Sequence, residues 1–130
     1  MTLRTLLTAA TLVGAIALPV ALGAPAIAAG AGQCLYVNQI TSTKADGMRT
    51  VYAWTGRHDA WRIDLAADCA PLADGGGKIV LAPRGSGSIC GAQDFDLSVV
   101  AAGGSQRCFV KGMTRLTPDE ASRIPASAQP

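Results

Sequence analysis

The sequence holds a single histidine, His58, and no two of its four cysteines stand close enough to make a Cys-x2-Cys metal knuckle. Zinc draws its ligands from closely spaced Cys and His, so no zinc centre is expected, and no other cofactor either. There is no Gly-Lys-Ser/Thr run, and the glycine-rich stretches lack both the order and the following helix of a dinucleotide fingerprint. Charge is scarce as well: 15% of the residues are charged and the formal net charge is +2. So small a positive balance offers little to a polyanion, which sets nucleic acid aside as a partner. The length of 130 residues holds one domain, since domains typically run to about 100 to 200 residues.

Between Thr5 and Thr43 no Lys, Arg, Asp or Glu occurs. The run follows Met1 and Arg4, and a positive start ahead of an apolar stretch is how a secretory signal begins. Small residues dominate it and Pro19, Gly23 and Pro25 interrupt it, which suits a short signal core better than a spanning helix of about 20 strongly apolar residues. Ala26-Ile27-Ala28 supplies the small residues a signal peptidase accepts, and Ala29-Gly30-Ala31 is a second candidate. The expected signal peptide is residues 1–28. Gln33 before Cys34 departs from the small residue that lipoprotein processing needs. The expectation is therefore a periplasmic or secreted chain with no stable membrane insertion after signal cleavage.

In an oxidising compartment an even number of cysteines in so short a chain reads as two disulfides. Three connectivities are possible, and chain entropy gives each bridge roughly 3 to 4.5 kcal/mol in any of them, so energetics leaves the choice open. Cys34 with Cys108 and Cys69 with Cys90 is the pairing we expect. The first bridge would tie the terminal strands together and the second would close a glycine-rich excursion.

Hydrophobic period assigns the strands. Trp61, Ile63 and Leu65 alternate with Arg62 and Asp64, and Phe95, Leu97 and Val99 alternate with Asp94, Asp96 and Ser98. Residues 48–54 read as a strand joined to the Trp61 strand by a hairpin loop over 55–59. Residues 34–40, 78–82 and 107–113 are shorter apolar runs bounded by turn formers. The expected fold is all-β: a small antiparallel meander of about six strands over residues 29–116, a barrel or a sandwich, with the barrel preferred. Thr117-Pro118-Asp119-Glu120 carries a helix start, with a hydroxyl at the N-cap, Pro at the first helical position and Glu three residues after the cap. A short helix to about Ile124 and a frayed tail complete residues 117–130.

These landmarks resemble a family of small secreted proteobacterial proteins of unknown function. The likeness rests on Cys34 opening the first strand, Trp61-x3-Leu65-x3-Cys69, Leu72, Ile89-Cys90, Cys108, and the closing Leu116-Thr117-Pro118-Asp119-Glu120. It implies a periplasmic or secreted β-rich domain with two disulfides and carries no activity. The step from Cys90 through Gly91-Ala92-Gln93 to Asp94 is longer than in the family pattern.

Candidate chemistry is sparse. His58 beside Asp59, with Asp64 and Asp68 nearby, could be drawn as a base and its orienter for a small secreted hydrolase. No nucleophile accompanies it, because the cysteines are committed to bridges and the serines sit in glycine-rich turns. Asp94 and Asp96 lie on one strand face and could hold a cation or act as an acid/base pair, although the solvated side of a strand has the same pattern. Tyr52, Trp54 and Trp61 sit on neighbouring strands, with arginines close by, and could line a groove. Trp61 belongs to an apolar alternation and reads as core, whereas Trp54, next to the loop, is expected to be exposed. The binding residues expected are Tyr52, Trp54, Arg57 and His58. Together these features suggest an exported binding or accessory domain of the bacterial envelope, with an unknown protein or envelope ligand as partner. An inhibitor of a secreted enzyme is a related reading, since a rigid domain loses little entropy on binding.

Overall fold

The computed structural model describes residues 33–130. The expected signal peptide and its cleavage points lie outside the described residues. Nine strands follow in chain order: β1 (Leu35–Tyr36), β2 (Ser42–Asp46), β3 (Thr50–Trp54), β4 (Ala60–Leu65), β5 (Lys78–Pro83), β6 (Ser88–Ile89), β7 (Phe95–Ala101), β8 (Gly104–Cys108) and β9 (Val110–Arg115). One helix, α1 (Pro118–Ser122), comes after them. All strand pairs are antiparallel.

The strands make a four-stranded sheet ordered β2-β3-β4-β9, a three-stranded sheet ordered β5-β7-β8, and a two-stranded ribbon of β1 and β6. The all-β expectation holds, but the preferred barrel does not. The last strand, β9, pairs with β4 and not with the first strand, so the sheets keep separate edges. Residues 107–113, expected as one strand, change partners midway. Cys108 still pairs with Leu97 of β7, whereas Val110 pairs with Leu65 of β4, and Phe109 makes the crossing.

Alternation decides which face is dry. Val51 and Ala53 lie opposite Ile63 and Trp61 in the β3–β4 hairpin, and all four face inward. Leu81, Phe95, Leu97 and Val99 meet them from the other sheet, while Leu35 and Ile89 of the ribbon plug the end of the same cluster. Each large side chain fully removed from water here contributes roughly 1.5 to 3 kcal/mol. Tyr52 and Trp54 necessarily point to the opposite face, because side chains alternate along a strand. There they meet Ala60, Leu116, Ala121, Ile124 and Ala128, so α1 and the tail cover the part of the outer face that carries Tyr52 and Trp54.

The helix begins as its sequence dictates. The Glu120 amide donates to Thr117 Oγ1 and the Thr117 amide donates to Glu120 Oε2, closing a reciprocal capping box. The expected frayed end is instead a 3-10 turn over Ala126–Ala128. Ala128 is fully buried and its carbonyl accepts a hydrogen bond from the Trp54 indole, which holds the segment down.

The disulfides also differ from expectation: they are Cys34–Cys90 and Cys69–Cys108. The register explains the first. Leu35 lies opposite Ile89 and Tyr36 opposite Ser88, so the next pair in the ribbon is Cys34 with Cys90. Cys108 is meanwhile held on the core side of β8, where Cys69 reaches it. The expectation of a tie between terminal strands failed because the ribbon, not the end of the last strand, receives Cys34.

Candidate functional site

The structure brings Trp54, Arg57 and His58 to one open cavity of about 580 Å³, completed by Ala121, Ser122, Gln129 and Pro130. Arg57 and His58 are exposed in the hairpin loop, closed by the Thr55 amide donating to the Asp59 carbonyl. Trp54, expected to be exposed, is 1% exposed. Its ring is a wall behind the tail, and its one donor is spent on Ala128. Tyr52 is buried and does not line this cavity. Burial pushes its phenol above the ordinary value, and the Asp46 carboxylate adds to that rise. Trp61 lies opposite Ala53 on the inner face, so the three rings do not share a surface.

The carboxylates near His58 are held by arginines. Asp59 pairs with Arg115 at 3.4 Å, Asp64 with Arg62 at 2.8 Å and Asp68 with Arg49 at 3.2 Å. No hydrogen bond joins His58 to any of them among the described residues, so the geometry gives the imidazole no orienter. Asp94 and Asp96 also part company. Asp94 Oδ2 accepts from the Cys90 and Gly91 amides at 2.9 and 2.8 Å, fixing the turn that leads into β7. Asp96 is gripped by Arg84 through both guanidinium Nε and Nη2, and by Arg107. Neither forms part of a metal cluster, and none occurs among the described residues.

A second place was missed in the sequence. At the crossing from β8 to β9, Phe109 is 69% exposed, the most exposed of the large apolar side chains described. Its neighbour Cys108 is bridged to Cys69, and the Phe109 carbonyl accepts from the Ala66 amide at 2.8 Å, so the backbone that carries the ring is fixed on both sides. A β-bulge follows: Asp64 pairs with Gly112 and Leu65 with Val110, which leaves Lys111 unpaired in the ladder. Phe109, Arg107, Lys111, Arg84 and Asp96 together line an open cleft of about 430 Å³. Lys111 also lines an adjoining cleft of about 520 Å³ with Arg49, Arg62 and Asp64.

The signal for this site is Cys108-Phe109-Val110, three apolar residues in succession. A strand with one dry face cannot bury three in a row, so one of them must point outward or mark a change of sheet. Comparison with family models, curated proteins and solved structures gives no match for this chain.

Proposed function

We propose that this chain is an exported, disulfide-stapled domain that works by binding a partner protein at the bacterial envelope, and that the β8–β9 crossing is its contact surface. The observation that carries this reading is Phe109. An aromatic ring left in water on a backbone fixed by a disulfide and a backbone hydrogen bond is the form that binding hot spots take, because little conformational freedom remains to be lost. The apolar start of the sequence and two disulfides support export. No helix among the described residues is long and apolar enough to cross a membrane.

The test has two parts. Intact mass of the chain recovered from its export host should correspond to a start near Ala29 and gain four alkyl groups only after reduction. A photo-cross-linking residue at position 109 should then trap one discrete adduct in envelope preparations, while the same residue at exposed Lys44 should not. A mass bearing acyl chains or free thiols would overturn the export scheme, and equal trapping from both positions would overturn the assigned surface.

A further inference from the structure

Three cations, Arg84, Arg107 and Lys111, line the cleft beside Phe109, against the one carboxylate of Asp96. Their hydrogen-bonding capacity is unequally spent. Arg84 is committed to Asp96 through two nitrogens. Arg107 gives Asp96 its Nη2 alone, so most of the five donors of its guanidinium remain unused. Lys111, turned out of the ladder by the bulge, makes no ion pair among the described residues. Asp96 thus holds two guanidinium groups side by side, which their mutual repulsion would otherwise separate, and leaves the cleft with a surplus of positive charge.

We propose that this cleft takes a carboxylate from the partner, presented on an apolar stretch of polypeptide: the carboxylate bonds to Arg107 and Lys111 while the adjoining apolar side chain lies on Phe109. The inference rests on the binding role proposed above and adds the chemistry the partner must show. The charge surplus calls for an anion, and charge-assisted bonds from a guanidinium suit a planar carboxylate. The exposed ring selects a peptide over a free anion, because inorganic phosphate has nothing to place on it.

The experiment uses the disulfide-intact protein, isotopically labelled, and two synthetic peptides. One alternates Glu and Leu, and the other replaces every Glu by Gln. Amide shifts caused by the Glu peptide should concentrate at Arg107, Phe109 and Lys111, and the Gln peptide should bind at least about tenfold more weakly, as expected on losing a charge-assisted pair. Arg107→Gln, Lys111→Gln and Phe109→Ala should each weaken binding severalfold, whereas Lys44→Gln, exposed on the edge strand β2 and outside both clefts, should leave it unchanged. Equal binding of the two peptides, or shifts centred elsewhere, would overturn the proposal. Inorganic phosphate shifting the same residues at the same concentration as the Glu peptide would show a simple anion site and overturn the peptide assignment. If the position-109 cross-link forms while the Glu peptide is silent, the carboxylate chemistry fails and the binding surface stands; if both fail, so does the surface.

Discussion

The indole nitrogen of Trp54 donates to the carbonyl of Ala128 at 3.0 Å, joining the end of β3 to a turn 74 residues later. The bond is buried and spans the outer layer of the fold, so it fastens the tail over Tyr52 and Ala60. Trp54→Phe keeps a ring but leaves that carbonyl without its donor, and should cost about 1 to 2 kcal/mol in chemical denaturation. Truncation before Pro125 should expose Trp54 and shift tryptophan emission to the red, with Trp61 still buried in the inner core. Unchanged emission would show that the tail does not cover the ring.

The two bridges differ in access. Cys90 is exposed and Cys34 half-buried, whereas Cys69 and Cys108 are 2% and 5% exposed. Mild reduction of the folded protein followed by alkylation should therefore label Cys34 and Cys90 first. Peptide mapping of the singly reduced species checks both this order and the connectivity; early label on Cys69 would contradict it.

Gly77 sits where the chain enters β5, and a Cβ placed on it would lie 2.3 Å from Val99 Cγ1 in the inner core. Val99 is fully buried in the inner core. Gly77→Ala should destabilise by roughly 1 to 3 kcal/mol through overpacking, while Gly76→Ala, with only a carbonyl 3.9 Å away, should be tolerated. Melting temperatures of the pair give the comparison.

The capping box predicts a pH effect of known sign. Hydrogen bonds from the Thr117 backbone, and then from its hydroxyl, hold the Glu120 carboxyl below its ordinary value. A carboxylate lowered by folding adds stability above its unfolded value and loses it as pH falls through the folded one. Glu120→Gln should remove this acid-limb contribution and flatten stability between those values. Thr117→Ala should cost about 1 kcal/mol by losing the N-cap. An unaltered acid limb in Glu120→Gln would show that the box does not form in solution.

The strands with one apolar face were readable because alternation is a local property: Trp61-x-Ile63-x-Leu65 and Phe95-x-Leu97-x-Val99 could have no other dry face. Thr117 and Glu120 were readable for the same reason, since a cap is made within four residues. Ser42–Asp46 and Gly104–Cys108 were not, because both are polar edge strands that owe their extension to a neighbour's backbone. The Asp46-Gly47 turn, with Gly47 at φ 66°, was the local mark of the first of them. Trp54 was misplaced because the cover over it arrives from the far end of the chain. Phe109 was misread as strand interior because the sheet it leaves and the sheet it enters are defined by distant partners, β7 and β4.

The order of the bridges along the chain has its own consequence. Cys34–Cys90 and Cys69–Cys108 interleave, where Cys34–Cys108 with Cys69–Cys90 would be nested. In a nested chain, one protease nick before Cys69 and another after Cys90 would cut out a middle piece. In the interleaved chain that middle piece carries Cys69 and Cys90, each bridged to a different flank, so the same two nicks release nothing. The domain remains one covalent object after damage in both its first hairpins and its last, a property suited to a place where proteases are common and resynthesis is remote.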